Sequence, residues 1–178
     1  VNYARNFLYL SPVYSYFIRK KILEIFNILK KNFKLKKSKK ILDVGTTSSL
    51  DSHENVILNN IKWKKNISCL SNQNLRKLKN KYPLTSFFQE DARKMNFKKN
   101  KFDIVFSSAT VEHVGSFKNQ IKFVSECFRV CKYTTFITTP NRNYPIDFHT
   151  RLPIIHLLPK KIHRSILKFF GENYLSKE

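Results

Sequence analysis

Glu112 and His113 form the pair in this chain best suited to moving a proton, because an imidazole accepts a proton from a substrate hydroxyl near neutral pH. Two further acidic positions stand at chain turns. Asp43 lies two residues before Gly45 in Ile41-Leu-Asp-Val-Gly45, and Asp91 sits in Glu90-Asp-Ala92. An aspartate at a strand-to-loop junction is a turn former on its own account and, when the turn faces a ligand, a hydrogen-bond anchor. Ser107 and Ser108 supply hydroxyls at the end of another apolar run. The three cysteines, Cys69, Cys127 and Cys131, contain no Cys-x-x-Cys pair, which excludes a zinc ribbon and a disulfide framework. Cys127 and Cys131, one helical turn apart, read as core packing. A reducing, intracellular compartment fits this cysteine usage, and a cytoplasmic protein is the expectation.

The elements that must position these residues follow from hydrophobic period. Ser11-Pro12 opens a helix, and Phe17, Ile18, Ile22, Ile25, Phe26 and Leu29 recur on one face of it. Residues 40–44 are a short apolar run stopped by Gly45 and read as a buried strand. Residues 67–70, 85–89, 102–107 and 133–139 are four more strands, the last rich in β-branched residues. A polar helix lies around 72–80. An amphipathic one covers 119–130, with Ile121, Val124, Phe128 and Cys131 at helical spacing. Strands alternating with helices predict a parallel α/β sheet, whose ligands sit outside the carboxyl ends of the strands. The loops after residues 44, 70, 89, 107 and 139 are therefore the ones that carry chemistry.

With 178 residues the chain is of single-domain size, and 42% apolar residues, 16 of them Phe, suffice for a core. No apolar run reaches the length of a membrane-spanning helix. The chain opens on Val1 without a signal-peptide pattern, and a fragment of a longer protein is the expectation. The net charge is +22. Residues 16–40 hold ten Lys or Arg against one acid, 62–101 twelve against two, and 151–170 five against none. Residues 41–61 and 102–117 hold no Lys or Arg at all. Such a balance suits RNA, DNA or an anionic membrane face. It is also what an AT-rich genome yields by filling exposed positions with Lys.

Ile41-Leu-Asp-Val-Gly45, Glu90-Asp-Ala92, Phe102-Asp-Ile-Val-Phe-Ser-Ser108 and Val111-Glu-His-Val114 stand in one order and spacing, followed by Thr138-Thr-Pro-Asn-Arg142. Together they resemble the class I S-adenosylmethionine-dependent methyltransferases, of the methyltransferase type 11 pattern, over residues 38–150. The resemblance implies a Rossmann-like, doubly wound, mostly parallel sheet. It implies S-adenosylmethionine as cofactor, with Asp43, Gly45 and Thr46 at the methionine end. Ser71 and Asn72 would stand at the ribose, Asp91 and Ala92 at the adenine, and Ser107 and Ser108 near the sulfonium. Glu112 and His113 would serve catalysis, and Asn141 and His149 the substrate and its lid.

The pattern also departs from the family. Gly45-Thr-Thr-Ser-Ser-Leu50 carries one glycine where the family has several, and Leu70-Ser-Asn72 lacks the usual ribose-binding acid. Relatives that hold a divalent ion at this Glu-His carry a further Glu where Ala109 stands here, so no metal site is expected. The family's sheet closes with two further strands, for which this sequence has no segment; the fifth strand would then be an open edge. The expected organisation is an amphipathic helix and basic linker over 1–38, a cofactor domain over 39–150 and a basic amphipathic lid over 151–178. The expected partner is a small or lipid- or glycan-linked substrate, with peripheral contact to an anionic membrane. Nucleic acid ranks lower, because no aromatic-interleaved RNA signature is present. The alternative is a non-catalytic module of the same fold that binds membrane or nucleic acid through its basic faces. A nicotinamide-dinucleotide enzyme is disfavoured by the absence of Gly-x-Gly-x-x-Gly and of an acid after the second strand.

Overall fold

The computed structural model describes residues 11–33, 35–50 and 54–139, with Leu158, Pro159, Ile162 and Ser165. The chain divides into two compact units. One, Ser15–Thr139, contains the whole sheet; the other comprises Val1–Tyr14 and Pro140–Glu178, most of which lies outside the described residues. The expected lid over 151–178 and the residues Asn141 and His149 fall there.

The elements run α1 (Ser11–Phe33), β1 (Ile41–Val44), α2 (Val56–Asn60), β2 (Ile67–Ser71), α3 (Arg76–Lys81), β3 (Ser86–Gln89), β4 (Phe102–Ser108), α4 (Phe117–Val130) and β5 (Cys131–Thr138). A single 3₁₀ turn, Val111–His113, precedes α4. The five strands form one sheet in the order β3-β2-β1-β4-β5, and every pairing is parallel. The Rossmann-like α/β expectation holds. The sheet starts at β1, winds outward through β2 to β3, then returns to β4 on the other side of β1. The switch in strand order therefore falls between β1 and β4, where open parallel sheets place their ligands.

Alternation along each strand sorts the core into two layers. Ile41, Ile67, Cys69, Ile104 and Phe106 pack under Leu29 of α1, Val56, Ile57 and Leu58 of α2 and Leu78 of α3. On the opposite face Leu42, Val44, Leu70 and Val105 pack against Phe123, Cys127 and Val130 of α4 and against Met95 and Phe97. Strands buried on both faces read as continuous apolar runs, which is why β1 and β4 are legible as strands.

Three details differ from the pattern read in the sequence. Helix α2 has no counterpart in the hydrophobic period; it is a five-residue turn whose Val56, Ile57 and Leu58 are all buried, too short for a 3.6-residue repeat to show. Helix α3 begins at Arg76, because the Asn74 side chain accepts the Arg76 N–H and holds 72–75 as a turn. In α4 the sheet takes the stripe Phe123, Cys127 and Val130, while Ile121 is 51% and Phe128 62% exposed. The helix carries two apolar stripes, and only the sheet decides which one is covered. All three cysteines are buried and free, and burial pushes the Cys127 thiol up to about 12.

Candidate functional site

The carboxyl ends of the strands are laced together by hydrogen bonds that cross from one strand to the next. The Gly45 and Thr46 N–H groups donate to the Leu70 carbonyl at 2.8 and 3.3 Å, joining β1 to β2. The Glu90 N–H donates to the Ser71 carbonyl at 2.9 Å, joining β2 to the loop after β3. The Ser107 hydroxyl, fully buried, donates to the Val44 carbonyl at 2.8 Å and ties β4 to β1. Thr138 Oγ1 donates to Ser108 Oγ at 2.9 Å and the Ala109 N–H to the Thr138 carbonyl at 2.9 Å, adding β5. These contacts bring Asp91 and Ala92, Ser71 and Asn72, Asp43, Gly45 and Thr46, and Ser107, Ser108, Glu112 and His113 to one end of four adjacent strands. With strands about 4.8 Å apart, the row is about 14 Å wide.

Asp43 is 4% exposed and pairs in register with Cys69 and Phe106, so its carboxyl lies on the apolar face shared by those side chains. Burial pushes it up to about 7, against a smaller opposing effect from the Thr46 hydroxyl. A buried acid poised near neutrality is uncommon in a core and frequent at working sites. Gly45 follows with φ +91°, in the left-handed region that other residues rarely adopt.

The loop after β1 owes its shape to side chains rather than to glycines. Asn55, itself left-handed at φ 52°, accepts the Thr47 N–H at 2.9 Å. Its amide nitrogen donates to the carbonyls of Thr47 at 3.2 Å and Ser49 at 3.0 Å. Gln73 reaches over from the loop after β2 and accepts the Ser48 N–H at 3.1 Å. The Thr47 hydroxyl donates to Glu54. Neither Asn55 nor Gln73 is among the site residues expected from the sequence. An Asn immediately before the apolar run Val56-Ile57-Leu58 is a helix-start signal that points to the first.

Asp91 is gripped by Arg93. The guanidinium donates to both carboxylate oxygens at 2.7 to 3.0 Å, and the Arg93 N–H donates to Oδ1 at 2.8 Å. The Arg93 side chain holds the Asp91 carboxyl below the usual carboxylate range. The loop behind it is fastened to α4, where Arg129 pairs with Glu126 and donates to the carbonyls of Met95 at 2.8 Å and Phe97 at 2.6 Å.

After β4 the chain turns through Ala109 at φ 49°, a conformation that costs a residue with a Cβ roughly 1 kcal/mol. Such strain collects at functional turns. The turn presents the 3₁₀ segment containing Glu112 and His113. Glu112 Oε2 accepts the Thr139 hydroxyl at 3.4 Å, while Oε1 is buried and has no hydrogen-bond partner among the described residues. His113 is exposed. Among the described residues no cluster of His, Cys, Asp or Glu could hold a metal ion, and no helix is long and apolar enough to cross a membrane.

Residues 57–137 match the methyltransferase domain family. Among solved structures, an S-adenosylmethionine-dependent methyltransferase from Aquifex aeolicus is 19% identical. It covers 85% of this chain and 87% of its own, with a TM-score of 0.51. The PH0226 protein from Pyrococcus horikoshii is 21% identical over 64% of this chain and 53% of its own, also with a TM-score of 0.51. At such identities the likeness is one of fold. The chain spans about half the length of the first solved structures it matches, 47% of one and 53% of another. No curated protein matches it in sequence.

Proposed function

We propose, from the premise that this chain carries a class I S-adenosylmethionine-dependent methyltransferase domain, that it transfers the methyl group to a small or lipid- or glycan-linked substrate in the cytoplasm. The observation that carries this reading is the row of polar groups laced across the ends of β3, β2, β1 and β4, centred on Gly45 at the switch in strand order. The residues fit the cofactor's chemistry at both ends. The Asp43 carboxyl beside Gly45 suits an α-amino group, and the Ala92 N–H, with Asp91 once it is released from Arg93, suits an adenine edge. At the ribose position Ser71 and Asn72 offer neutral hydrogen bonds, about half as strong as charge-assisted ones.

When bound, the cofactor supplies an electrophilic methyl on a sulfonium. The chain's own part is to position and to exclude water. Ser107 and Ser108 hold the turn after β4 against β1 and β5, and Glu112 and His113 follow in the 3₁₀ segment of that turn. Glu112 Oε1, buried and without a partner among the described residues, is an acceptor that suits a donor group on the substrate. His113 accepts the substrate proton as the new bond forms. The composition of 151–170, apolar with five Lys or Arg, supports an anionic or lipid-bearing acceptor.

Calorimetric titration of the full chain with S-adenosylmethionine and with its demethylated product tests this. Micromolar binding, lost in Asp91→Ala and retained in the exposed-surface variant Lys118→Gln, is the expected result. A folded chain that binds neither compound overturns the reading.

A further inference from the structure

A parallel sheet sends every chain segment that precedes a strand to one end and every segment that follows one to the other. In this chain that geometry sorts charge. The segments preceding β1, β2 and β4 carry four Lys in 36–40, three in 62–65 and three in 98–101, and β5 begins Cys131-Lys132. Contacts place these segments side by side. The Asn66 side chain donates to the Lys37 carbonyl at 2.9 Å, and the Asp103 N–H donates to the Lys40 carbonyl at 2.9 Å. Lys39 and Lys132 lie over the same ring, Tyr133, at 4.4 and 4.8 Å. Nearly all of these lysines are exposed. One is not free: Lys64 donates to the carbonyls of Leu58 and Ile61 at the end of α2. The one acid beside them, Asp103, accepts the Lys40 N–H. At the opposite end, residues 45–50, 72–75 and 109–116 carry no Lys or Arg, Arg93 is spent on Asp91, and the lysines nearby, Lys94, Lys118 and Lys122, are scattered rather than gathered in runs.

We propose that the amino end of the sheet is a docking face for an anionic phospholipid surface. The free basic residues on it are Lys, flexible point charges that collect diffuse negative charge; the Arg beside them, Arg129, is spent on Glu126 and on the carbonyls of Met95 and Phe97. Tyr133, 60% exposed between two of the lysines, has an apolar body and a polar tip, as aromatic residues of membrane interfaces do. Lysines near such a surface contribute about 1 kcal/mol each and are screened within a Debye length. Docked this way, the face stands about 20 Å from the catalytic row, the length of β4, and leaves that row turned toward water.

The test is sedimentation of the full chain with vesicles of neutral phosphatidylcholine and with vesicles containing 30% phosphatidylglycerol. The variant Lys37→Glu, Lys62→Glu, Lys65→Glu, Lys99→Glu is compared with Lys20→Glu, Lys77→Glu, Lys94→Glu, Lys118→Glu, which changes the net charge equally elsewhere. The expected result is binding to anionic vesicles only, weakened about a hundredfold or more by the first set and less than about threefold by the second. A Lys→Gln version of the first set, with circular dichroism of each variant, separates lost charge from lost fold. Equal losses from both sets overturn the proposal, as does binding indifferent to lipid charge. Tighter binding of a single-stranded RNA than of vesicles, at equal phosphate and salt, also overturns it and assigns the face to nucleic acid.

Discussion

Thr110 stands against Gly45 so closely that a Cβ on the glycine would lie 2.0 Å from Thr110 Oγ1 and 2.8 Å from Thr110 Cβ. The same hydroxyl donates to the Ser108 carbonyl at 3.0 Å and reaches the Val44 carbonyl at 3.4 Å. The turn after β4 is thus seated on the turn after β1, at the point where the strand order switches. The single glycine of the first loop is there to admit a side chain of this chain as well as to bend the backbone.

Gly45→Ala should therefore destabilise the domain by about 2–4 kcal/mol, from overpacking and a left-handed backbone together. Thr110→Gly placed on top of it should restore the packing part and leave roughly 1 kcal/mol of backbone strain together with the loss of the Thr110 hydroxyl's bonds to the Ser108 and Val44 carbonyls. Urea denaturation of the two variants and the parent checks this. Equal stability of Gly45→Ala and the parent would mean that the two turns do not meet.

Asp43 makes stability depend on pH. Its folded value, about 7, lies above the ordinary 3.8, so the native chain binds more protons than the unfolded chain between these values. The stabilisation from keeping the group neutral is fully present below about pH 4 and is lost as pH rises through about 7. Asp43→Asn should flatten that slope, worth of order a few kcal/mol across the window. Denaturation midpoints from pH 4 to 8 are the measurement, and a slope unchanged in the variant would refute the assignment. The same group predicts that binding of a cationic amino-acid end tightens as pH rises through 7, because that binding favours the ionised carboxylate.

Asn55 holds the first loop by three hydrogen bonds to backbone groups of Thr47 and Ser49. Asn55→Ala should loosen it and raise amide exchange at Thr47 by a factor of about ten or more, for a loss of about 1–3 kcal/mol locally. Asn55→Gly keeps the left-handed backbone but not the bonds and should exchange as fast. Asn55→Asp, which retains the acceptor for the Thr47 N–H, should fall between. Exchange followed by NMR at Thr47 and, as control, at Val105 in the sheet separates loop loosening from global unfolding.

Local pattern sufficed for much of this molecule. The runs at 40–44 and 102–107 announce strands buried on both faces, because such strands need no polar alternation. The stops at Gly45 and after Ser107 place the loops at the carboxyl ends of the strands without reference to any distant residue. That Asp43, Asp91 and Glu112 all lie at strand ends was legible for the same reason, since a strand and its terminator are neighbours in sequence. Other features depend on residues far apart in the chain. Which apolar stripe of α4 is covered depends on the sheet, and Ile121 and Phe128 lost to Phe123 and Cys127 only in the packed structure. The seating of Thr110 on Gly45 spans 65 positions, and the Gln73 bond to Ser48 spans 25. The gathering of lysine runs at the amino end of the sheet comes from parallel topology, which alone aligns segments such as 36–40 and 98–101. Periodicity reports which face a residue can present; it carries no information on which distant surface will claim that face.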